Sequence, residues 1–89
     1  MQAMRQWKTD ILVGEKDGHT RAEAWLVTEI GDRMVGLGTA DVSPHDVDVP
    51  EIGDEIAVAR ALINLGNRLL EQASLEIEGV TREDVRLSH

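Results

Sequence analysis

The sequence predicts an α+β domain in which a three-stranded antiparallel meander is followed by one long helix. Three observations carry that expectation. Stretches of alternating apolar and polar residues, separated by turn residues, fill residues 6–41. Seven apolar or small residues then recur at steps of four and three, Ile52, Ile56, Ala59, Ile63, Gly66, Leu70 and Ala73, and so share one side of a helix. Between the two patterns, a loop from Asp41 to Val49 ends at Pro50, a residue suited to the first helical position. With no internal repeat, low-complexity tract or linker, residues 1–89 read as a single domain.

The first strand is expected over about residues 6–14, where Trp7, Thr9, Ile11 and Val13 alternate with Lys8, Asp10 and Leu12. Glu15-Lys16-Asp17-Gly18 supplies the turn, because Asp and Gly tolerate positive φ. The second strand spans about residues 20–29 and the third about 33–41, joined through Ile30-Gly31-Asp32-Arg33. A four-residue first loop sets Ile11 opposite Ala22, Thr9 opposite Ala24 and Trp7 opposite Leu26. A second loop at Gly31-Asp32 sets Leu26 opposite Leu37, Ala24 opposite Thr39 and Thr28 opposite Val35. Both hairpins then collect small and apolar side chains on one face, as a half-buried antiparallel sheet requires. The outer face is left with Leu12, Trp25, Val27, Met34, Gly36, Gly38 and Ala40 among charged residues, Trp25 covering Gly38 from the neighbouring strand.

The helix is expected over about residues 50–73. Glu51, Asp54 and Glu55 suit the positive end of its dipole. A second apolar row, Val58, Leu62, Leu65 and Leu69, widens the apolar face to roughly half the circumference, beyond the usual ~100° stripe. Three strands cover only part of such a face, so the surplus predicts a partner. Arg60, Asn64, Asn67 and Arg68, with Glu71, read as a solvated polar side. Helicity is expected to weaken near Ser74 or Gly79, with Thr81-Arg82-Glu83-Asp84 capping a further turn.

Composition narrows the functional classes. With no cysteine, neither a disulfide nor a thiolate metal site is available. Only two aromatic residues are present, both Trp, so aliphatic packing carries the core, and small domains with thin cores gain stability by oligomerising. A net charge of −8, from 17 acidic and 9 basic residues, repels phosphate and anionic lipid and favours a basic protein surface as partner. No apolar run approaches membrane-spanning length, and Met1 to Lys8 lacks a signal core, which points to a cytoplasmic protein without a membrane partner.

Catalytic patterns are lacking. Ser43, Ser74 and Ser88 sit in no nucleophile elbow, and His19, His45 and His89 are scattered through a turn, a loop and the terminus. Asp41, Asp46, Asp48, Glu51 and Asp54 crowd the loop and helix start but depart from the calcium-loop order. Gly36-Leu37-Gly38 lacks the third glycine and the strand-to-helix turn of a dinucleotide fingerprint. The expectation is therefore a non-enzyme with no metal and no cofactor. The candidate contact residues are Leu12, Trp25, Val27 and Met34 on the sheet and Leu62, Leu65 and Leu69 on the helix. Helix-to-helix, sheet-face and edge-strand pairing of two copies all remain open.

Gly36-Leu37-Gly38, Thr20-Arg21-Ala22-Glu23-Ala24, and Val49-Pro50-Glu51-Ile52-Gly53-Asp54-Glu55 followed by Ala57 to Leu62 carry a resemblance. From Trp7 to about Thr81 the chain resembles a family of small actinobacterial proteins of unknown function that includes dormancy- and hypoxia-associated mycobacterial members. The resemblance implies a fold like the double-stranded-RNA-binding domain and a homodimer. The likeness of some relatives to ribosome hibernation factors implies a binding role at the ribosome under stress. The second reading is an RNA-binding module with Trp25, flanked by Lys8 and Arg21, as a stacking platform. An enzyme or small-ligand carrier ranks last.

Overall fold

The computed structural model describes residues 3–41 and 50–87, with side chains as far as Val80. Three strands, β1 (Thr9–Lys16), β2 (His19–Val27) and β3 (Arg33–Asp41), form an antiparallel sheet in the order β1-β2-β3, and one helix, α1 (Pro50–Leu87), follows. This is the β-β-β-α meander expected from the sequence. The loop carrying Ser43, His45, Asp46 and Asp48 lies outside the described residues.

The first hairpin closes more tightly than its four-residue loop predicts. Asp17 and Gly18 both take positive φ, 53° and 79°, the requirement of a two-residue type I′ turn. The strands therefore run on to Lys16 and His19, setting Thr9 opposite Leu26 and Ile11 opposite Ala24. Trp7, expected across from Leu26, lies outside the strand. The slip is two residues, so every β1 side chain keeps its expected face.

The second hairpin departs by three residues, an odd number, and β3 is turned over. Leu26 faces Met34, Ala24 faces Gly36 and Ala22 faces Gly38. Trp25 stands across from Val35, not over Gly38. Residues 28–32 form a five-residue loop, in which the Thr28 amide donates to the Asp32 carbonyl (2.8 Å) and the Gly31 amide to the Thr28 carbonyl (3.0 Å). The Thr28 hydroxyl also accepts from the Asp32 amide at 3.1 Å. Gly31, at φ 90°, makes the reversal sterically cheap.

Close approach of the helix explains why this face of β3 is the buried one. Of the seven buried hydrophobic residues among those described, five are alanine (Ala22, Ala24, Ala40, Ala57 and Ala61); the others are Leu26 and Leu65. A Cβ on Gly36 would stand 2.5 Å from the Leu65 amide nitrogen and against the Ala61 carbonyl oxygen. One on Gly38 would meet the Ala57 carbonyl oxygen and the Ala61 nitrogen. The helix backbone thus rests on the strand backbone, and Leu37, expected inside, is 43% exposed on the outer face. Had Val35 and Leu37 faced inward, they would have held the helix a full side chain further out.

The helix side chains read as a solvated face serve instead to close the outer edge of β3. Arg60 donates to the Thr39 carbonyl (2.7 Å), Asn64 accepts from the Leu37 amide (2.9 Å), and Arg68 donates to the Val35 carbonyl (2.9 Å). Their i, i+4, i+8 spacing matches a row along one side of the helix, and the bonds occupy groups that an edge strand otherwise offers to other chains. Asn64→Ala is expected to cost about 1 kcal/mol, the net worth of one hydrogen bond. It should also speed hydrogen exchange at the Leu37 amide, read by NMR, while the β2 amides stay protected.

α1 continues through Ser74, Gly79 and the Thr81–Asp84 segment to Leu87, well beyond the expected end near Ala73. One glycine costs ~1 kcal/mol in a helix, too little to end one among Leu75, Glu76, Ile77 and Glu78. The sheet covers only the first half of this rod, from Gly53 to Leu69; every residue from Leu70 to Val80 is exposed.

Candidate interaction surfaces

Among the described residues, two apolar faces stay uncovered, one on each side of the helix–sheet layer. The first is the back of α1. Gly53, Ala57, Ala61 and Leu65 contact the sheet, which turns the row that begins at Ile52 toward solvent. Ile52 is 54% exposed, Ile63 64% and Leu70 69%. The four–three spacing does not stop at Ala73; it runs on through Ile77 and Val80, both exposed. A row repeating every 3.5 residues on average is the signature of a helix that packs along another helix. The sequence held this signal in full, but a helix expected to end at Ala73 concealed its length.

The second face is the outer side of the sheet. Leu12, Val27 and Leu37 are exposed there, with Trp25 partly so. Leu37 was missed by sequence reasoning because of the β3 register. The patch carries charges of both signs: Asp10 is directly opposite Trp25, Glu23 lies between Leu12 and Leu37, and Arg33 is directly opposite Val27.

Of the seven contact residues named from the sequence, Leu12, Trp25, Val27 and Leu62 are exposed. Three belong elsewhere. Leu65 is buried in the core, and Met34 and Leu69 pack against it. The reason is the same turned-over β3, which carries Met34 to the helix side, together with a helix face centred on Ala61. The seven residues therefore form no single surface.

Other features are modest. A groove of about 480 Å³ lies between Trp7, the β2–β3 loop and the Leu69–Glu76 stretch of α1, lined by the apolar Ile30 and Met34 and by the charged Glu29, Asp32, Arg33 and Glu76. Among the described residues, no group of three or more His, Cys, Asp or Glu side chains is placed to hold a metal ion. No described helix is long and apolar enough to cross a membrane.

His19 and Asp41, at the paired ends of β2 and β3, meet through an Nδ1–Oδ1 hydrogen bond of 2.6 Å. That bond, then the charges of Asp41 and Asp17, raises the imidazole pKa above its usual range. A raised folded-state value stabilises fully below the unfolded pKa of about 6.5 and is lost as pH climbs through the folded value. The pair is exposed, so the effect is small. Thermal melts should show Asp41→Asn less stable than the parent in mildly acidic buffer, the two curves converging in alkaline buffer. A constant difference would mean that the pair does not titrate as described.

The arrangement defines a class: a sheet-on-helix domain with an alanine–glycine core and uncovered apolar surfaces on both sides. The chain belongs to the Rv2632c-like family, whose model matches residues 5–86. It is 45% identical over 87 residues to the uncharacterized protein Mb1767 of Mycobacterium bovis, covering 94% of this chain and 88% of the relative. It is equally 45% identical, over 80 residues, to the uncharacterized protein Rv2632c of Mycobacterium tuberculosis, with 90% and 85% covered. The crystal structure of Rv2632c superposes with a TM-score of 0.83 at 42% identity, covering 90% of this chain and 94% of that one. The resemblance to a small actinobacterial family of unknown function, read first from the glycine strand and the helix start, is thus a family relationship along nearly the whole chain.

Proposed function

We propose that the protein is a non-enzymatic binding protein that acts as a homodimer in stress or dormancy, with the ribosome as the partner its family resemblance implies. The observation that carries the reading is the row along the back of α1. Eight of its nine positions are exposed, and the ninth, Gly66, is partly buried. Burying a side chain such as Ile56, Ile63 or Leu70 is worth ~1.5–3 kcal/mol, and beside a thin alanine–glycine core this row is a substantial unused source of apolar stabilisation.

The outer sheet face, with Leu12, Trp25 and Val27, is then left free for a second macromolecule. Trp is a common anchor at such contacts. The net charge of −8 favours a basic protein surface, such as a ribosomal protein, over RNA. Asp10 directly opposite Trp25 sets a carboxylate where a stacked nucleotide would bring its phosphate, so the RNA-binding module is the weaker reading.

Co-sedimentation with purified ribosomes at low salt tests the partner. The parent chain is expected to pellet with them and Trp25→Ala to stay in the supernatant. A parent that never pellets would remove the ribosome from the proposal; binding of free RNA with a steep salt dependence would reinstate the RNA reading.

A further inference from the structure

We infer that the second copy lies antiparallel along the back of α1, in a register that sets Ile56, Ile63 and Leu70 of one helix against Ala73, Gly66 and Ala59 of the other. The inference rests on the homodimer reading above and adds its geometry. The outward row is not uniform. One of its two alternating positions holds Ile56, Ile63, Leu70 and Ile77; the other holds Ile52, Ala59, Gly66 and Ala73.

A parallel, in-register pair would stack like on like. Ile63 would meet Ile63, which asks for helix axes at the wide end of the ~8–10 Å range, and Gly66 would meet Gly66, which asks for the narrow end. One axial separation cannot satisfy both, and the Ala59, Gly66 and Ala73 layers would be left as voids. In an antiparallel pair the two positions face each other instead. Ile63 packs on Gly66 of the second copy, Leu70 on Ala59 and Ile56 on Ala73, and the two-fold axis passes between Asn64 and Leu65. Only the outermost layers, Ile52 with Ile77, join two large residues.

Gly66 supplies an independent reason. A Cβ built there meets nothing within 4 Å, and its φ is not positive. Nothing among the described residues of the protomer demands a glycine there, although glycine in mid-helix is less stable than alanine. A knob from a second helix does demand it. On the flank, the exposed Leu62 extends the apolar contact, whereas Glu55 comes near Glu76 of the second copy, a like-charged rim pair that opposes it.

The area also fits one occupant of this kind. The Ile52–Ile77 stretch is roughly 39 Å long at 1.5 Å per residue and ~12 Å wide, or about 900 Å² of footprint over two copies before interdigitation, close to the ~1,000 Å² floor for a specific interface. In this register the C-terminal half of each rod, which has no sheet beneath it, lies along the N-terminal half of the other. The two sheets end up on opposite outer sides of the helix pair, their outer faces pointing apart.

The chain has no cysteine, so single sites take spin labels cleanly. Asn67→Cys, near the two-fold axis, and Glu78→Cys, near the end of the row, are to be measured by double electron–electron resonance on the full chain. Residue 67 should give a short distance. Residue 78 should give about 40 Å, because it stands opposite residue 51 and 27 residues of helix rise separate the labels. Short distances at both positions would overturn the antiparallel register and leave the dimer standing. A missing short distance at residue 67 would overturn the helix-back dimer itself, and the register with it.

Discussion

Gly38→Ala is expected to destabilise the fold by about 3 kcal/mol, the upper part of the range for overpacking. The added methyl group meets the Ala57 carbonyl oxygen and the Ala61 nitrogen, with the Arg60 carbonyl carbon at 2.8 Å. These are backbone atoms inside a helix, so no rotamer change relieves the clash, and α1 must lift from β3. Lifting it strains the Arg60, Asn64 and Arg68 bonds to the strand edge as well. For a domain of this size the loss corresponds to a fall in melting temperature on the order of 15 °C. Gly79→Ala is the matching control. Nothing lies within 4 Å of its Cβ position, and alanine there should raise stability by up to ~1 kcal/mol. If both substitutions proved neutral in thermal melts, the helix would not be resting on the β3 backbone.

Ile63→Lys should leave the protomer folded and abolish its association. The side chain is 64% exposed in the protomer, so circular dichroism should not change. In the helix pair it sits beside the two-fold axis and enters the contact twice by symmetry. Burying two ammonium groups without partners opposes association strongly, and the dimer dissociation constant should rise at least ~100-fold, about 2.7 kcal/mol. Glu71→Lys, one residue beyond the row, introduces the same ammonium group outside the contact and should stay associated. Equal behaviour of the two variants on a sizing column with light-scattering detection would place the contact elsewhere.

The meander and the single helix were legible because both rest on periodicity: two for the strands and 3.6 for the helix. The register of the first hairpin was legible only to within two residues, since Asp17 and Gly18 close the turn by themselves. The register of the second was not. Sorting β3 by hydrophobicity puts Val35 and Leu37 inside and glycines outside, and that logic fails where the partner is a helix backbone with no room for side chains. Alternation of the small residues Gly36, Gly38 and Ala40 with Ala22 and Ala24 on β2, matched by Ala57 and Ala61 four residues apart on α1, was the signal that mattered. It reads as close approach once the elements are known to meet.

The candidate surface divided in the same way. Leu12, Trp25 and Val27 were found by strand alternation, which survives a shift of two. Met34 and Leu65 were misplaced because their location depends on which way β3 faces and on which helix side it meets. The outward row was visible as spacing. Nothing in that spacing told which of the two apolar rows would face the sheet; the buried Ala57, Ala61 and Leu65 decide it.

Sedimentation equilibrium of the untagged chain across the micromolar range tests most directly whether the back of α1 belongs to a second copy. A particle of twice the 9.8 kDa chain mass is the expected result, reverting to the single mass in Ile63→Lys. A single mass at every concentration would contradict it, because Ile56, Ile63 and Leu70 would then stand in water in the working protein.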